Sequence, residues 1–100
     1  MDVQMEIGGR ALVLRYTVNS MCVVEELAGG SLAEAFEADF TAVRLLLWGA
    51  LIDRQQGLTL REAGELLDAH LRGGGTLGEI VDACAEAMRR AGFFKEDARQ

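Results

Sequence analysis

Polar and apolar residues alternate strictly near the start of the chain, where Val3, Met5 and Ile7 are interleaved with Asp2, Gln4 and Glu6. A period of two sends successive side chains to opposite faces, as a half-buried strand requires. Gly8-Gly9 comes next. Two glycines tolerate the positive φ angles of a primed turn, so Arg10 to Thr17 is expected to return antiparallel as the second arm of a hairpin. Leu12, Leu14 and Tyr16 would line one face of that arm. Ala11 and Val13 make its other face apolar as well, which predicts cover from both sides or pairing with another chain.

Beyond Thr17 the period becomes helical. Val18, Met21, Cys22, Glu25 and the Leu27-Ala28 end predict a short helix, capped by Thr17 or Asn19 and stopped at Gly29-Gly30. Ser31-Leu-Ala-Glu34 is a capping-box sequence that predicts a second short helix to about Glu37. Asp39 is placed to cap a third, from Phe40 to about Arg54. Its stripe of Val43, Leu46, Leu47, Ala50 and Leu51, widened by Leu45, Trp48 and Ile52, marks it as central. Two more capping boxes, Thr59 with Glu62 and Thr76 with Glu79, open the last two helices. Their stripes run through Leu60, Ala63, Leu66, Leu67, His70 and Leu71, and through Leu77, Ile80, Val81, Cys84 and Met88. Gly73-Gly74-Gly75 between them follows no strand and lacks a Lys-Ser/Thr ending, so it reads as a helix break and not a phosphate loop. The expectation is an α+β domain, an N-terminal β-hairpin followed by a bundle of about four or five short α-helices. It spans residues 1–94, with a polar tail at 95–100.

Composition narrows the partners. Half of the 100 residues are hydrophobic, enough for one small core, and the net charge is −6. An acidic chain repels a phosphate backbone, which makes nucleic acid a poor partner. The longest apolar run, Leu45 to Ile52, has eight residues, short of the roughly 20 that span a bilayer. With no basic, apolar leader at the N-terminus, a soluble intracellular protein without a membrane partner is expected. Cys22 and Cys84 form no CxxC pair or Cys/His cluster and read as two reduced core thiols, so no metal or cofactor is expected.

Candidate chemistry is sparse. His70, the single histidine, lies on the apolar side of its helix and reads as structural. The carboxylate pairs Glu25-Glu26, Glu62/Glu65 and Asp82/Glu86 read as solvated helix faces, and no catalytic set is expected. Three features suggest contact with another protein. Between Arg15 and Arg44 the chain carries Glu25, Glu26, Glu34, Glu37 and Asp39 but no Lys or Arg, a stretch that can steer a basic partner. The hairpin edge can pair with a second copy and give a homo-oligomer. Phe93-Phe94 can anchor a partner or the chain's own core.

The ordered set Gly9-Arg-Ala-Leu-Val-Leu-Arg-Tyr-Thr17, Asn19, Val24-Glu-Glu-Leu27, Gly30-Ser-Leu32, Leu45-Leu-Leu-Trp-Gly-Ala-Leu51 and Gly57-Leu-Thr-Leu-Arg-Glu-Ala-Gly64 resembles the short tail assembly chaperones of tailed bacteriophages, prophages and gene transfer agents, particularly those of gene transfer agents. The resemblance implies a non-enzymatic helper of tail morphogenesis in the bacterial host cytoplasm, absent from the mature particle. Its partners would be the tape measure protein, shielded until assembly, and the tail tube protein that polymerises around it. The resemblance carries no catalytic residues with it. A second reading is a small acidic carrier or adaptor domain resembling acyl carrier proteins. Ser31 would then hold a phosphopantetheine arm, although Gly30 stands where carriers usually have Asp and carriers lack a leading hairpin. A helix-turn-helix regulator is a third, for which Arg89-Arg90 is the basic pair on the final helix.

Overall fold

A computed structural model describes residues 2–29 and 39–93. Strands β1 (Val3–Ile7) and β2 (Arg10–Leu14) form an antiparallel hairpin, followed by helices α1 (Val18–Ala28), α2 (Phe40–Leu51), α3 (Leu60–Arg72) and α4 (Leu77–Arg90). This is the expected α+β arrangement, a hairpin and then helices. The short helix expected at 31–37, the tail at 95–100 and Phe94 lie outside the described residues.

Gly8 and Gly9 turn the chain with φ of 60° and 80°, the left-handed values a two-residue hairpin needs at both positions. The register pairs Val3 with Leu14, Met5 with Leu12 and Ile7 with Arg10. Val3, Met5, Ile7, Leu12 and Leu14 therefore share the inner face, where Ile7, Leu12 and Leu14 are buried. On the outer face Ala11 is exposed and Val13 half-buried, so the described residues leave that side largely open.

Helix α2 is the hub. Eight of its 12 residues are buried, and it packs against α1, α3, α4 and β2. Two hydrogen bonds lock the chain leaving the hairpin onto it: the Arg15 amide donates to the Ala50 carbonyl at 2.8 Å, and the buried Tyr16 hydroxyl donates to the Leu46 carbonyl at 2.6 Å. The core gathers Ile7, Leu14, Leu46, Leu47, Leu51, Ile80, Cys84 and Met88, each large aliphatic side chain contributing about 1.5–3 kcal/mol by leaving water. At Gly49 a side chain would run into Val24 of α1, so the bare backbone lets the two helices close together.

Local caps fix the helix starts. Thr59 and Glu62 bond reciprocally at 2.9 and 3.0 Å, Thr76 and Glu79 do so at 3.0 and 3.1 Å, and Asp39 accepts the Ala42 amide at 2.7 Å. Helix α1 has a reciprocal box as well, made by Thr17 and Ser20. Helix α2 ends at Leu51, before the expected Arg54. There the Arg54 and Gln55 amides both converge on the Leu51 carbonyl and the backbone tightens into a turn. The Trp48 indole then donates to the Leu58 carbonyl at 2.9 Å, pinning the loop that leads to α3.

Candidate functional site

Helix α1 buries only Ser20, Met21 and Val24, a narrow stripe set by the contact between Val24 and Gly49. Residues four apart on a helix share a row, and two apolar rows face outward: Val18 with Cys22, and Val23 with Leu27. Val18 is 69% exposed, Leu27 55% and Val23 37%. Glu26 falls between the two rows and Glu25 at the edge of the first, both exposed. The expectation of two buried thiols is corrected here. Cys84 is buried, whereas Cys22 is exposed, because α1 is rotated so that Ser20 and Val24 take the inward positions.

The structure distributes the other expected contact residues. Asp39 spends its carboxylate on capping α2. Phe93, half-buried, packs against the core, and its amide donates to the Met88 carbonyl at 3.2 Å. It lines a concavity of about 450 Å³ with Asp2, Arg15, Arg54 and Arg90. Those arginines are already engaged, Arg15 and Arg54 with Asp2 and Asp53, and Arg90 with Glu86 and the Asp2 carbonyl. Glu34, Glu37 and Phe94 lie outside the described residues, as does Ser31.

One feature had no signal in the sequence. Between α2 and α3 runs a groove of about 250 Å³ lined by Phe40, Thr41, Arg44, Gly64, Leu67, Asp68 and Leu71. Phe40 stands at its mouth, 68% exposed. The Arg44 stem lies where Gly64 has no side chain, and a Cβ there would sit 3.1 Å from Arg44 Cδ. The Arg44 Nε is buried without a hydrogen-bond acceptor. Asp68 does not supply one, since it pairs with Arg72 at 2.8 Å.

His70, Glu79, Cys84 and Tyr16 are engaged within the fold. His70 Nε2 lies 3.0 Å from Glu79 Oε1 across the α3–α4 turn, so the imidazole that carries its proton on Nε2 clasps the two helices. The Thr76 amide first, and then His70, hold the Glu79 carboxyl below its ordinary range. Burial pushes the Cys84 thiol up to about 11, and burial first, then Cys84, raises the Tyr16 phenol well above its usual value. Both groups are neutral at physiological pH. Among the described residues no group of His, Cys, Asp and Glu is placed to hold a metal ion, and no helix is long and apolar enough to cross a membrane.

No protein-family model, curated protein or solved structure matches the chain.

Proposed function

We propose that this protein is a tail assembly chaperone of a bacteriophage, prophage or gene transfer agent. In the bacterial cytoplasm it covers the tape measure protein until tail tube subunits polymerise, and it is left out of the finished particle. The observation that supports this reading is the outward side of α1, where Val18, Val23 and Leu27 stay in water beside Glu25 and Glu26. An aggregation-prone helical client offers apolar stripes of its own, and burying them against such a strip removes both from water. The strip is small and rimmed by charge, which suits a reversible contact that a polymerising subunit can displace.

The test is to mix the purified protein with a fragment of its cognate tape measure protein and follow turbidity and co-elution. The wild type is expected to keep the fragment in solution and elute with it. The variant Val23→Asp with Leu27→Asp, at two exposed positions, is expected to fold normally and lose that effect. A wild type that neither binds the fragment nor delays its precipitation overturns the proposal.

A further inference from the structure

On the outward side of α1 a carboxylate stands in the middle of the apolar strip. At 3.6 residues per turn Glu26 points roughly 160° away from the buried Val24, about 40° from Cys22 on one side and about 60° from Val23 on the other. Glu26, Cys22 and Val23 are all exposed, and Val18 and Leu27 extend the two rows. The Glu26 carboxylate has no hydrogen bond or ion pair among the described residues, and α1 carries no Lys or Arg to give it one. A helix is roughly 10–12 Å across with its side chains, so one laid along α1 covers both rows and the charge between them. That charge would then lose its water without gaining a partner, a cost that opposes the gain from the apolar rows.

We infer that Glu26 sets the specificity of the strip. The client segment it accepts is an amphipathic helix with a Lys or Arg set among its aliphatic residues, so that the cation meets Glu26 as the two apolar rows are covered. The inference rests on the chaperone reading for the identity of the client and adds the chemistry by which the client is chosen. Charge complementarity selects this occupant: an apolar helix without a cation strands Glu26, an acidic one repels it, and the same carboxylate rejects both. Glu25 does not take this part, because it lies roughly 100° around the helix from Glu26, at the edge of the Val18 row.

Fluorescence anisotropy with two labelled amphipathic helical peptides tests it. Both carry the same leucine row, one with lysine and the other with glutamate beside it. The wild type is expected to bind the lysine peptide more than about tenfold more tightly than the glutamate peptide. Glu26→Gln should remove most of that preference, and Glu26→Lys should invert it. Glu25→Gln removes the same charge from the edge of the strip and should leave the preference nearly intact, which separates pairing at Glu26 from the general pull of a cation toward a chain of net charge −6. Both glutamates are exposed, and circular dichroism checks that each variant folds. The inference is overturned by a wild type that binds the two peptides alike or binds neither, by a preference that survives Glu26→Gln, or by an equal loss from Glu25→Gln. Mixing the same proteins with the cognate tape measure fragment keeps the two readings apart. A fragment held in solution by a protein that does not discriminate between the peptides removes the role of Glu26 alone, and a discriminating protein that ignores the fragment removes the chaperone reading alone.

Discussion

Gly49→Ala sets two effects of known sign against each other. Gly49 lies in the interior of α2 with no positive φ, and there alanine alone should stabilise the helix by about 0.8–1.0 kcal/mol. Its Cβ, however, would overlap Val24 Cγ2 and come to 3.5 Å from Tyr16 Cε1. Val24 is fully buried, and a β-branched side chain in a helix has essentially one χ1 rotamer, so it cannot swing aside cheaply. Overpacking of this kind costs about 1–3 kcal/mol. The net expectation is a loss of about 0–2 kcal/mol. Val24→Ala opens the space, so in that background Gly49→Ala should change sign and stabilise by about 1 kcal/mol, a coupling within the ~0.5–3 kcal/mol seen for residues in contact. Urea unfolding followed by Trp48 fluorescence and circular dichroism reads both effects as shifts of midpoint at constant slope. A stabilising Gly49→Ala in the wild-type background, or the same sign in both backgrounds, would refute the reasoning.

Tyr16→Phe removes the buried donor to the Leu46 carbonyl and should cost about 0.5–1.5 kcal/mol, visible by calorimetry as a drop in Tm of several degrees; an unchanged Tm counts against the tie between hairpin and α2. A thiol reagent should modify one cysteine rapidly in the native protein, the exposed Cys22, and reach Cys84, whose thiol sits at about 11, only on unfolding; two equal native rates would contradict the packing of α4. Glu79 has its carboxyl lowered by Thr76 and His70, so its contribution is present above the ordinary carboxylate range and is lost as pH falls through the lowered value. Glu79→Gln should therefore flatten the acid limb of stability against pH, and an unchanged limb would remove Glu79 from that account.

Features written in adjacent residues were readable in advance. The hairpin turn, the α3 and α4 capping boxes and the Asp39 cap depend on spacings of one to three positions, and each is where its spacing puts it. The Thr17–Ser20 box escaped because the expected signature has Glu or Gln at its fourth position and this chain uses a serine hydroxyl. Cys22 was misjudged for a different reason. A short helix with apolar residues on several sides does not fix its own rotation, and α1 is turned by the single place on α2 where Gly49 lets Val24 in. Of the candidate contact residues, Glu25 and Glu26 stand in water, Asp39 is committed to a cap and Phe93 leans on the core. The Arg44 groove exists only because α3 lies against α2, and no local pattern encodes it.

The bond from Arg90 to the Asp2 carbonyl spans a separation of 88 residues, and β1 rests on α3 and α4. During translation the hairpin therefore emerges long before the helices that roof it. At ~5–20 residues per second, the gap between Asp2 and Arg90 is roughly 4–18 s. Until α3 and then α4 follow, Val3, Met5 and Ile7 lack their cover, and a holdase that grips short apolar segments has its best opportunity to bind this nascent chain.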